Sequence, residues 1–253
     1  MFDTIREIVL EAGNLMLSLS EAPVHQKEGH ANFVTDADTA VQSFLMAKLH
    51  LTLPEAAFFA EEQENNRLGD EYTFIIDPID GTTNFFRRHQ CSAISVALLH
   101  RKKPVLGLVY NPYKKELFSA EKGKGAFCNG KPIHVSDQEF SNGLVNMGTS
   151  PYYPEKAEKT FRAARLLLEN CADIRRSGSA ALDLCSVAAG CTDMFYEYRL
   201  SPWDYAAASL IISEAGGKYG AFDGEAFTYE HAIPFIAANA KCFVPFQRLL
   251  DRC

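Results

Sequence analysis

Along the first twenty residues Ile5, Ile8, Val9, Ala12, Leu15, Met16 and Leu19 recur at intervals of three and four, with Asp3, Glu7 and Glu11 between them. This spacing predicts an amphipathic helix. A polar stretch, 21–32, leads through Thr35-Asp36-Ala37-Asp38-Thr39 to a second helical pattern over 41–49, closed by Pro54. The period then shortens. Apolar runs at 56–60 and 72–76, rich in Phe and Ile, predict strands separated by the charged segment 61–71. Runs at 91–99, 104–110 and 116–120 are broken by Arg101-Lys102-Lys103 and Asn111-Pro112, which predicts an antiparallel meander, and Asn129-Gly130 marks a further hairpin. Helical patterns follow at 155–169, 180–190 and 204–215, the last ended by Gly216-Gly217, with a strand at 192–198. These blocks show no strict βαβ repeat, so the pattern predicts an α+β fold of mixed α/β layers rather than a Rossmann repeat. The polar, Gly-bearing stretch 136–150 is the expected boundary between an N-terminal lobe, 1–140, and a C-terminal lobe, 141–253, of one compact unit.

Composition narrows the class. The 253 residues are 47% hydrophobic and 23% charged, enough apolar surface for a sizeable core and too much for a disordered chain. Lys+Arg 25 against Asp+Glu 32 gives a net charge of −7 with no segregated basic patch, which argues against nucleic acid as a partner. No run of 18 apolar residues occurs, and the N-terminus has neither the basic start nor the cleavage site of a signal peptide, so a cytoplasmic chain with no membrane partner is expected. The seven cysteines, 91, 128, 171, 185, 191, 242 and 253, are scattered and form no C-x-x-C pair. Free, mostly buried thiols are expected, with no zinc or redox role.

The segment Asp77-Pro78-Ile79-Asp80-Gly81-Thr82-Thr83 carries the most chemistry. An apolar strand delivers Asp77 to its end, Pro78 is expected to turn the chain out of the sheet, and Asp80 follows three residues later. Two carboxylates and the Ile79 carbonyl could bracket a hard cation, which needs several oxygen ligands. Asp80-Gly81-Thr82 also reads as a helix start, capped by Asp or Thr, whose N–H groups would suit an anion. Each part has a plainer reading: Asp80-Gly81 as a solvated turn, Glu61-Glu62 as a solvated loop, Asp204 after Trp203 as a helix cap, and Asp36 and Asp38 as caps of the next helix. Gly125 to Lys131 nearly fits a nucleotide phosphate loop, but Pro132 stands where a hydroxyl is required, so the hairpin explains it better. Asp36-Ala37-Asp38-Thr39-Ala40 fails the phosphoaspartate pattern at Ala40. No G-x-S-x-G elbow or H-x-x-x-H pair is present.

Taken together, Ala60-Glu61-Glu62, the 77–85 segment, Trp203-Asp204-Tyr205-Ala206-Ala207 and Glu214-Ala215-Gly216-Gly217 resemble the inositol monophosphatase family in order and spacing. Gly123 to Gly130 and Gly178-Ser179-Ala180-Ala181 add to the likeness. The resemblance implies an α-β-α-β-α layered sandwich, a homodimer, and hydrolysis of inositol monophosphate or a similar sugar or polyol phosphate with two or three Mg2+ ions, sensitive to lithium. By position, Glu61, Asp77 and the Ile79 carbonyl would hold the ion that activates water, and Asp77, Asp80 and Asp204 a second. Thr82 would orient the water with Glu61, and Gly81 and Thr82 would cradle the phosphate. Asp38 would act one layer behind the water, Glu197 would bond substrate hydroxyls, and Gly178, Ser179 and Ala180 would line the same pocket. Alternative substrates in this superfamily are fructose 1,6-bisphosphate, NADP and 3′-phosphonucleotides; a non-catalytic sugar-phosphate or partner-binding protein is the remote alternative. Ala60 and Ala208 stand where relatives often have Gly, the 61–77 loop is short, and Arg199 could contact a second phosphate.

Overall fold

A computed structural model describes residues 1–27 and 33–253. The last five residues of the polar stretch 21–32, among them His30, lie outside the described residues. Helix α1 (Phe2–Ser18) and the short paired strands β1 (Val24–Gln26) and β2 (Phe33–Thr35) lead into α2 (Asp36–Thr52). The cap of α2 is Thr35, neither Asp36 nor Asp38: Thr35 and Asp38 form a reciprocal capping box. Strands β3 (Ala57–Ala60) and β4 (Tyr72–Asp80) pair in parallel. After α3 (Thr82–Phe86), β5 (Ala93–His100), β6 (Lys103–Asn111), β7 (Glu116–Glu121), β8 (Ala126–Cys128) and β9 (Lys131–Ile133) continue an antiparallel meander, giving a seven-stranded sheet in chain order. Asn129 and Gly130, at φ 50° and 76°, form the predicted hairpin turn.

The second half supplies β10 (Leu144–Met147), α4 (Ala157–Asn170), β11 (Asp173–Arg175), α5 (Ala180–Ala188), β12 (Met194–Leu200), α6 (Pro202–Glu214), β13 (Lys218–Ala221), β14 (Ile233–Ala238) and α7 (Phe243–Leu250). Its five strands order as β11-β10-β12-β14-β13. The expected boundary stretch 136–150 therefore contains β10, an inner strand of this sheet. A division into lobes at 140/141 remains our proposal, motivated by the two sheets drawing their strands from opposite sides of it.

The layers follow from alternation along the strands. On β4 and β5, Phe74, Ile76, Val96 and Leu98 pack under α1 and α2, while Ile75, Ala93, Ala97 and Leu99 join α5, α6 and the second sheet. Both faces are covered, which is why these strands read as continuous apolar runs. Helices α4 and α7 close the far side of the second sheet on Met147, Tyr196 and Ile236. The result is the α-β-α-β-α sandwich. Helix α6, apolar all round, is the central beam; it lies so close to β6 that a Cβ on Gly107 would stand 2.5 Å from the Ala207 carbonyl oxygen. All seven cysteines are free, but only Cys185 and Cys242 are fully buried, because several lie near layer edges rather than in the core.

Candidate functional site

Pro78 does not end its strand. It sits within β4, where Asp77 pairs with Ser95 and Asp80 with Ala93, so three steps along β4 match two along β5. The extra residue is a β-bulge, which accommodates the missing N–H of proline. It also restores parity: residues three apart on a regular strand face opposite sides, whereas Asp77 and Asp80 face the same one. The start of α6 brings Asp204 to them, and carboxylate oxygens of Asp77, Asp80 and Asp204 lie within 4.8 Å of one another. Glu61, one residue past β3, is tied by its N–H to the Ile76 carbonyl at 3.2 Å and hydrogen-bonds Asp77 through its side chain.

This convergence is electrostatically costly. Burial and the neighbouring carboxylates push Glu61 up to about 8 and hold Asp77 and Asp204 well above the usual range. Burial pushes Asp80 up to only about 6, because hydrogen bonds from the start of α5 oppose it. Ser179 Oγ donates to Asp80, as do the N–H groups of Ala180 at 3.2 Å and Ala181 at 2.9 Å. Asp80 thus lies against the first turn of α5, whose own cap is Ser179, where the helix dipole favours negative charge, and the cap of α3 falls to Gly81, at φ 83°, rather than to Asp80 or Thr82. Asp204 also has two tasks: one oxygen accepts the Ser201 N–H at 2.8 Å in a capping box, so the cap reading and the cluster reading both hold. Among the described residues no ion pair includes Asp77, Asp80 or Asp204. Hard oxygen donors packed without a counter-charge fit a divalent cation of the Mg2+ type.

Around the cluster, Thr82 Oγ1 lies 3.1 Å from Asp38 Oδ1 and 3.2 Å from the Ile79 carbonyl oxygen. Asp38 is buried and also accepts the Thr35 N–H, so it holds Thr82 from behind. Lys27 pairs with Glu62 beside Glu61. The cluster, Glu61, Thr82 and Lys27 open on a cavity of about 580 Å³, lined also by Gly81, Gly178, Ser179, Ala180, Glu197 and Arg199. Glu197 accepts the Ser150 N–H at 2.7 Å and is pushed up to about 7 by burial. It lies over Gly148, where a Cβ would fall 1.9 Å from Glu197 Oε2. Every candidate from the sequence thus reaches the cluster, the cavity wall or, for Asp38, the layer behind. The sequence reading missed the loop after β10, with Gly148, Thr149, Ser150, Tyr152 and Tyr153, and also Lys27, Arg176 and Asp183. The signal was a short apolar run, 144–147, ending in Gly148-Thr149-Ser150-Pro151.

Residues 2–248 match the family model described as the inositol monophosphatase family. The chain belongs to the inositol monophosphatase family. The relative named Nus factor SuhB from Escherichia coli is 36% identical over 219 residues, covering 85% of this chain and 82% of that protein. The inositol monophosphatase of Dictyostelium discoideum is 37% identical over 219 residues, 83% of this chain and 80% of that one. Among solved structures, the extragenic suppressor protein suhB of Bartonella henselae superposes with a TM-score of 0.91 at 33% identity, over 99% of this chain and 98% of that one. An IMPase/NADP phosphatase complexed with Mg2+ and phosphate gives 0.87 at 26% identity, over 96% and 92%. Both a Nus factor and an inositol monophosphatase stand at nearly equal identity, so identity alone does not choose between the two roles.

Proposed function

We propose that the protein is a Mg2+-dependent phosphomonoesterase that hydrolyses inositol monophosphate or a similar small sugar or polyol phosphate by direct attack of water. The observation that carries this reading is the uncompensated cluster of Asp77, Asp80 and Asp204 at one end of a cavity sized for a small polar ligand. The Mg2+ and phosphate in the related IMPase/NADP phosphatase support the same donor chemistry here. Bound divalent cations would neutralise the ester dianion and lower the pKa of water. We assign Glu61, Asp77, Asp80, Asp204 and the Ile79 carbonyl to hold two or three of them.

The chain's own groups do the rest. With its proton directed to Asp38, Thr82 Oγ1 keeps its lone pairs to accept from a water, and we assign Glu61, which lines the same cavity, to orient that water with it. The water oxygen gives up one proton and bonds to phosphorus, the bond from phosphorus to the ester oxygen breaks with its electron pair passing to that oxygen, and the departing oxygen takes up one proton to leave as an alcohol, so that water and ester become alcohol and inorganic phosphate. Gly81 and Thr82 are assigned to the phosphate. Glu197, with Gly178, Ser179 and Ala180, is assigned to the alcohol portion. The same reading carries a cytoplasmic homodimer inhibited by lithium.

The test is phosphate release from myo-inositol 1-phosphate, fructose 1,6-bisphosphate, NADP and a 3′-phosphonucleotide, with Mg2+ and with EDTA. EDTA-sensitive turnover of the inositol ester is expected. Turnover confined to one of the others would move the assignment within the superfamily. A second reading, a partner-binding protein, draws on the relative named Nus factor SuhB; inertness toward the whole panel would favour it.

A further inference from the structure

The cavity is lined by groups of both charge signs. Acids crowd where β4, β3 and α6 meet, and the same wall carries two guanidinium groups, Arg199 and Arg176, the latter close to Gly178. Arg199 is placed by a second bulge: on β12, Glu197 pairs with Phe235 and Leu200 with Ile233, again three steps against two. Tyr198 and Arg199 fall inside it. Tyr198 turns into the apolar layer under α4 and α7, and Arg199 is left on the cavity wall beyond Glu197. Its guanidinium lies over the Tyr153 ring, 5.1 Å from the centroid, which fixes the plane of the fork. Its Nε is shielded from solvent with no hydrogen-bond partner among the described residues. A shielded donor without an acceptor is a standing free-energy penalty, so the guanidinium has an acceptor to gain by turning toward an anion in the cavity. Among the described residues neither Arg199 nor Arg176 forms an ion pair, whereas Lys27, the other cation on the wall, is occupied by Glu62. Arg176, exposed at the mouth, donates to Thr149 Oγ1 at 3.3 Å and adds a second positive charge.

We propose that Arg199 is a specificity residue that receives a second phosphate on the alcohol portion of the substrate, so that the enzyme favours bisphosphorylated over monophosphorylated polyols. The inference rests on the phosphatase reading and deepens it. In this reading the reacting phosphate is assigned to the carboxylate cluster that would hold the cations, a hydroxyl to Glu197, and the second phosphate to the Arg199 fork.

The test compares kcat/KM for myo-inositol 1,4-bisphosphate and myo-inositol 1-phosphate, which differ only in the second phosphate, with Mg2+ present. The wild-type ratio is expected to favour the bisphosphate by about tenfold or more, the scale of one charge-assisted contact. Arg199→Gln should remove that preference, chiefly through KM, and Arg199→Lys should retain part of it because the charge survives without the fork. The wild-type preference should also shrink as salt is raised. A ratio near one in the wild type, or a ratio unchanged in both variants, overturns the inference and leaves the phosphatase reading standing. Hydrolysis of neither ester overturns both.

Discussion

Burial and the carboxylates of Glu61, Asp80 and Asp204 hold Asp77 well above the usual range, so in the metal-free protein its charge works against the fold. Its Oδ1 also accepts the Ile79 N–H at 3.0 Å, a bond an amide oxygen can still make. Asp77→Asn should therefore separate function from stability. Activity with Mg2+ should fall by on the order of 10³, as when a preorganised charge-stabilising group is removed, while the metal-free variant melts higher than metal-free wild type at pH 8, read by calorimetry in EDTA. Retained activity would remove Asp77 from the cation site; a lower melting temperature would remove it from the repulsive cluster. At this scale the acids were legible in the sequence because Asp77-Pro78-Ile79-Asp80 is compact and composed of hard donors. The bonds that Asp80 makes to Ser179, Ala180 and Ala181 were not, because their donors lie a hundred residues away in sequence and meet it only through packing.

Elements with one dominant period were readable: α1, the meander from β5 to β7, and α4, where an apolar stripe or a short bounded run has a single interpretation. Strands β10, β11, β13 and β14 and helix α7 were not read. Every residue of β14 is buried, so its run carries neither alternation nor helical spacing, and Pro234 argues locally against a strand. The bulges in β4 and β12 were equally invisible, since a bulge is defined by the partner strand. Two contacts show how elements hold the site from a distance. Glu214, at the end of α6, accepts the N–H groups of Gly123 at 2.8 Å and Gly125 at 2.9 Å, pinning the turn between β7 and β8 and giving the Glu214-Ala215-Gly216-Gly217 motif a structural use. Glu214→Ala should cost about 1 kcal/mol, the value of partly exposed hydrogen bonds, without changing KM. Gly107→Ala is the sharper test of the beam. Its methyl would press on the Ala207 carbonyl, costing about 1–3 kcal/mol as overpacking does, and because α6 carries Asp204, Mg2+ affinity should weaken in the same variant. Denaturant unfolding and a Mg2+ titration of activity would check the pair; a destabilised protein with unaltered Mg2+ dependence would detach α6 position from the cation site.

For the whole molecule, the charge of −7 is unevenly placed: most acids are exposed, but a few meet in one cavity and set how the fold responds to pH. Glu61 rises to about 8 from an ordinary 4.5, Asp80 to about 6 from 3.8, and Glu197 and Asp183 to about 7, all chiefly by burial. Each raised carboxyl is still protonated in the folded chain at a pH where the unfolded chain has released the proton. Through these groups the metal-free fold binds more protons than the unfolded state, and the stability they contribute is fully present below about pH 4 and is lost as pH rises to about 8. A divalent cation held by the ionised cluster acts in the opposite sense, binding the folded state alone and binding it better once protons have left. Melting temperature measured against pH should thus fall from pH 5 to 8 in EDTA and fall less, or not at all, in saturating Mg2+, with the gap between the curves widest at pH 8. Parallel curves, or a gap that narrows at high pH, would mean that the cation is not held by Glu61, Asp77, Asp80 and Asp204, and the acidic cluster would have to be explained without it.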